Sequence, residues 1–149
     1  GLPAIEPRKI AESKMTRGAF TYAEFDGALT DAVPEMRAHV ENTLEQIKAG
    51  ASPQPYAVVV LVLKPFLRKL LDQRTDAGLL QRIFDFLEEM ACSSDIEVVN
   101  LLQVGIFESL VGEPDRLAAA WKYMGDKTKA IARRTARTRR CEHNLPERK

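Results

Sequence analysis

Two histidines, two cysteines and one tryptophan are all that 149 residues contain of those types. Each scarcity removes a kind of chemistry. Cys92 and Cys141 are too few for a disulfide framework and lack the spacing of a zinc site, so a reducing cytoplasm is the expected location. Neither His39 nor His143 has a Glu three residues before it, the pairing that helical carboxylate metal sites use. There is no glycine-rich phosphate loop and no G-x-S-x-G elbow. Cys92, beside Ser93 and Ser94, reads as either a reactive thiol or an inert structural residue. The longest apolar run, "YAVVVLVL" at 56–63, spans eight residues and is too short for a bilayer. No basic-then-apolar signal segment opens the chain. The expectation is a protein with no enzymatic chemistry, no cofactor, no metal, no membrane contact and no small-molecule substrate.

Charge is plentiful but unevenly placed. The formal net charge is +1. Residues 127–149 carry nine Lys/Arg against Glu142 and Glu147, whereas 15–126 carry ten basic and seventeen acidic residues, a net of −7. An acidic body and a basic tail are thus averaged together. Residues 1–14, "GLPAIEPRKIAESK", have no clear period and precede Met15. They read as an added leader before a natural start, or as a native flexible arm.

Start and stop signals divide the remainder into helices. Thr21 with Glu24 forms a capping-box pattern opening a helix that ends near Val33. Pro34 starts a second, striped by Met36, Val40, Leu44 and Ile47 and ended by Gly50 and "SPQP". Pro55 opens a third through Asp72. Its β-branched first half could be a strand on propensity, but no second strand exists to pair with it. Pro65 should kink this helix. Over Asp76–Ala91, Leu79, Leu80, Ile83, Phe84, Phe86, Leu87 and Met90 share one arc, and Gln81, Arg82, Asp85, Glu88 and Glu89 the other. Ser94 with Glu97 should cap a fifth helix running to about Val111, apolar nearly all round and therefore the most buried. Pro114 opens a sixth with Leu117, Trp121 and Met124 inward, stopped by Gly125. From Lys127 the apolar content collapses to Ile131 and alanines, so a peripheral basic helix that frays is expected. The fold class is all-α: six or seven helices as an irregular HEAT-like array or a helical bundle, with a helical domain over 15–126 and a basic tail over 127–149.

The carboxylates of residues 84–110 pose the functional question. Asp85, Glu88 and Glu89 project from a polar arc, which is the pattern of a solvated face. Glu97, Leu101, Val104 and Glu108 lie at i, i+4, i+7 and i+11 with Asn100 beside them. Such a stripe suits a face that another surface covers, apolar at the centre and acidic at the rim. The alternative is that Glu97 caps its helix and Glu108 pairs with a Lys or Arg on a neighbour.

The stretches "PYAVVVLVLKPFLRKLL" (55–71), "IFDFLEEMACSSDIEVVNLLQVGIFESL" (83–110) and "YMGDKT" (123–128) resemble small helical immunity proteins of bacterial polymorphic-toxin systems. The resemblance covers roughly 30–130 and is most particular at Phe86–Glu88, around Asn100, at Glu108–Leu110 and at Met124–Thr128. Asp126 stands where that pattern has proline, and the arginine-rich extension lies outside it. The resemblance implies stoichiometric neutralisation of a cognate toxin domain, a basic protein that an acidic inhibitor would attract. The acidic surface of the fourth and fifth helices then gives the expected contact residues: Asp85, Glu88, Glu89, Glu97, Asn100, Leu101, Val104 and Glu108. Two rival readings remain: nucleic-acid binding through the arginines of 127–140, and a HEAT-like scaffold for another protein.

Overall fold

The computed structural model describes residues 20–48 and 55–148, and these contain helices and no strand. The leader or arm over 1–14, the helix stop at Gly50 and "SPQP", and the inward side chain assigned to Ile47 lie outside the described residues. Seven helices follow in order: α1 (Phe25–Ala32), α2 (Arg37–Lys48), α3 (55–73), α4 (Ala77–Ala91), α5 (96–110), α6 (Pro114–Trp121) and α7 (Asp126–Thr138). Short 3-10 turns lead into α1 and α2 and follow α7. No described helix is long and apolar enough to cross a membrane.

Local signals explain most boundaries. The Glu24 carboxylate accepts the Thr21 amide at 2.8 Å, as the capping-box pattern requires. Arg74 ends α3 in the left-handed region at φ 54°, and Asp76 turns left-handed again at φ 58° to cap α4, accepting Leu79 N–H at 3.3 Å. The N-cap of α5 is Asp95 rather than Ser94: its carboxylate accepts the Glu97 amide at 3.0 Å. Aspartate, one residue nearer the helix, reaches that orphan donor directly.

The β-branched run of α3 is helical, and Pro65 is accommodated by a π turn over Val59–Leu63 in which Lys64 N–H bonds the Val59 carbonyl. Proline has no amide to donate and its ring crowds the carbonyl four residues back, so a widened turn before it relieves both problems. A second π turn, Gln103–Phe107, interrupts α5. The two π turns pack together. Gly105 makes this possible, because a Cβ there would lie 2.6 Å from Val59 Cγ1.

One contiguous core runs from Phe25 to Leu145. All seven residues assigned to the inner arc of α4 are buried, and α4 touches α1, α3, α5 and α7. Phe20 stacks on Phe86 at 5.5 Å, with Phe25 tilted against the same ring. The fifth helix is therefore not the most enclosed: α5 buries Val98, Leu101, Leu102, Ile106, Phe107 and Leu110, yet Ile96 is 67% and Val104 44% exposed. Its apolar wheel is wider than the surface its neighbours cover.

Two expectations at the C-terminal end are overturned. Trp121 is half-buried rather than inward, with Lys129 and Arg133 against its ring at 5.4 and 5.9 Å. The helix expected to be peripheral is α7, which buries Thr128, Ile131, Ala132, Thr135 and Ala136 and packs on α4 and the π turn of α5. Small side chains at helical spacing allow close approach, so burial there needs few large apolar residues. The chain then returns to the core: Asn144 Nδ2 donates to the Val111 carbonyl at 2.9 Å, and Leu145 is buried. Ile131, Ala132, Ala136 and Leu145 of the basic segment belong to the same core as the helices before it.

Candidate partner-binding groove

The eight residues picked out in the sequence fall in three places. Asp85 and Glu88 border one cleft with Lys122, Tyr123 and Gly125. Asp85 accepts a hydrogen bond from Gln81 Nε2 at 3.0 Å. Glu88 is a half-buried carboxylate with structural partners. It accepts Lys127 N–H at 2.8 Å, Thr128 N–H at 2.9 Å and the Thr128 hydroxyl at 2.9 Å, which closes the N-terminus of α7. Unpaired amides and the positive end of the helix dipole draw the anion there. Charge reversal of Glu88 would break these bonds, so it would not leave the fold unchanged. Glu89, adjacent on α4, is half-buried. Glu108 lies on the far end of α5 and faces Arg139 at 3.5 Å, so the neighbour-pairing alternative holds for it.

The remaining four come together. Glu97, Asn100, Leu101 and Val104 line a groove of about 380 Å³ with Tyr22 and Tyr56. Leu101, 4% exposed, forms its floor, while Tyr56 (47%) and Val104 (44%) stand out as walls. Leu101 is thus desolvated by the fold itself, and Val104 is the accessible apolar residue of the stripe. Ile96, one turn before Asn100 on α5, continues the exposed apolar surface.

Three elements hold the groove. Asp95 accepts both the Glu97 amide and the Tyr22 amide, the latter at 2.9 Å, and so pins the turn before α1 to the start of α5. The Gly105–Val59 approach sets the spacing of α3 and α5 one residue from Val104 and three from Tyr56. Among the described residues, neither the Glu97 carboxylate nor the Asn100 amide has a side-chain partner; Asp85, Glu88 and Glu108 all do. Among the described residues on the lining, Glu97 is the one formal charge.

Sequence spacing located the α5 side of this groove. It missed Tyr22 and Tyr56, although each sits in a first helical turn marked by a capping signal or a proline. Elsewhere the basic segment uses its arginines internally: Arg133 forks onto Glu147, Arg137 faces Glu142, and Arg134 donates to Gln103. Among the described residues, no three His, Cys, Asp or Glu side chains are grouped to hold a metal ion.

Among the described residues, the fold is all-helical around one core and carries this open apolar groove on its surface. Residues 27–140 match the family model described as Domain of unknown function (DUF7674), which covers more than half of the chain, and the chain belongs to that family. No curated protein and no solved structure matches it.

Proposed function

We propose that this protein neutralises a bacterial toxin by stoichiometric binding, as an immunity protein acting in the cytoplasm without chemistry of its own. The supporting observation is the groove, where exposed Tyr56 and Val104 flank the Glu97 carboxylate, which has no partner among the described residues, over an apolar floor. That is the anatomy of a docking centre: apolar surface to desolvate, and a polar rim that selects the partner. The resemblance of 55–71, 83–110 and 123–128 to toxin-immunity proteins supplies the kind of partner. Whole-body acidity is a weaker support than the sequence implied, because the basic α7 packs on that body and Arg139, just after it, faces Glu108. Attraction of a basic toxin would be local to the groove. The internal use of the basic segment's arginines also counts against a nucleic-acid arm. Co-expression with the toxin gene encoded beside this one is the test. Restored growth and a one-to-one complex by light scattering are expected; growth arrest undiminished by this protein would overturn the reading.

A further inference from the structure

We infer that the groove takes a polypeptide segment in which an aliphatic or aromatic side chain is followed by a Lys or Arg. This rests on the reading above that the face docks a protein, and it specifies the chemistry of what docks. The apolar part follows from the lining: Leu101 beneath, with Tyr56 and Val104 at the sides, offers a slot that water fills poorly. The cationic part follows from Glu97. Its carboxylate is exposed, and among the described residues it has neither a partner nor a balancing cation on the lining. A carboxylate beside an apolar slot is complementary to a cation beside an apolar side chain, with Asn100 available to the segment's backbone. Other occupants fit less well. Nucleic acid would bring phosphates against Glu97, and a second copy docking groove to groove would bring two Glu97 carboxylates together, a like-charge contact.

The groove is also preformed, which lowers the cost of ordering on binding. Asp95 fixes the Tyr22 side through two backbone amides. Gly105 and Val59 fix the separation of the other two walls.

The test uses the full chain, labelled with nitrogen-15, and three blocked tetrapeptides: Gly-Leu-Lys-Gly, Gly-Leu-Glu-Gly and Gly-Gly-Lys-Gly. The Leu-Lys peptide should shift the amides of Tyr56, Glu97, Asn100 and Val104 saturably. The Leu-Glu peptide should bind about fivefold more weakly, the scale of an exposed charge pair, and Glu97→Lys should reverse that order. Equal affinity for the two leucine peptides, or shifts lying outside these residues, would overturn the inference. Val104→Asp, at an exposed position, should abolish the shifts without altering the fold. Growth protection separates this inference from the immunity reading. Full protection by a chain carrying both Glu97→Lys and Val104→Asp would remove the groove as toxin contact and leave immunity standing. Groove-confined peptide binding by a chain that gives no protection would remove immunity alone.

Discussion

The carboxylate of Glu88 holds the amide and hydroxyl of Thr128, each at 2.9 Å, across forty residues of chain. Phe86–Glu88 and Met124–Thr128 therefore form one device that anchors α7 to α4. Glu88→Ala should remove three hydrogen bonds to a charged acceptor and leave a helix start uncapped. A loss of about 1–3 kcal/mol is expected from urea unfolding. A loss below half a kcal/mol would show that water replaces the carboxylate without penalty.

Gly125 belongs to the same device. Its φ of −89° is open to any residue, so conformation does not require glycine there. Space does: a Cβ would lie 2.6 Å from Glu88 Cδ. Gly125→Ala should displace the carboxylate and destabilise by an amount similar to Glu88→Ala. In the double variant the two effects should overlap rather than add, because they remove one interaction. Additive losses would mean that Gly125 acts through something else.

How much of this was legible depends on where each partner lies. The inner arc of α4 could be read because a 3.6-residue period is a local property, and Leu79 through Met90 are buried as that period requires. Glu88 was misread for the opposite reason. Two of its three hydrogen-bond donors are backbone amides, of residues 127 and 128, which leave no trace in a pattern of side chains, and the third, the Thr128 hydroxyl, lies forty residues away. The burial of α7 was hidden in alanines and threonines, whose packing value depends on how closely the neighbouring helix approaches. On α5, Glu97, Leu101 and Val104 line one groove as their spacing suggests, but Glu108, placed on the same stripe, is carried out of phase by the π turn over Gln103–Phe107 and faces Arg139.

Leu102 is fully buried on α5. Leu102→Ala should cost about 2–5 kcal/mol, the range for a core leucine that leaves a cavity behind. Chemical denaturation monitored at Trp121 would check it. A cost under half a kcal/mol would mean that the neighbouring helices collapse into the space.

Gly105→Ala should destabilise through crowding of Val59, by about 1–3 kcal/mol. Val59→Ala in the same chain removes the atom that the new methyl meets, so the double variant should be more stable than the sum of the single losses predicts. Strict additivity would place the strain elsewhere.

Asp26 gives the pH dependence a definite sign. Burial pushes its carboxyl above the ordinary 3.8, and its Oδ1 has no hydrogen-bond partner among the described residues. A raised folded value means that the protonated form is the one the fold favours. Its contribution is fully present below pH 3.8 and is lost as pH rises through the raised value. Asp72 acts in the opposite direction, since hydrogen bonds from Arg116 hold its carboxyl below the ordinary value. Asp26→Asn should therefore raise the melting temperature at pH 7 and change it little below pH 3.8. An equal gain at both pH values would trace the effect to shape rather than charge.

Removal of residues 127–149 separates a structural α7 from a dispensable basic tail. The deletion takes Ile131 and Leu145, both buried, out of the core together with Ala132 and Ala136. It also strands Glu88 without its amides and leaves the π turn of α5 uncovered on one side. The two large side chains alone represent roughly 3–6 kcal/mol of apolar burial, a large share of the 5–15 kcal/mol typical of a whole domain. The truncated chain should therefore lose its sharp thermal transition and bind a hydrophobic dye at 25 °C. Charge reversal of Arg140 alone, exposed at the turn after α7, should leave the melting temperature within about a degree or two, as surface changes usually do. A truncated protein that melts cooperatively at the full-length temperature would return the segment to the status of an appended arm, and its arginines would again be open to an outside partner.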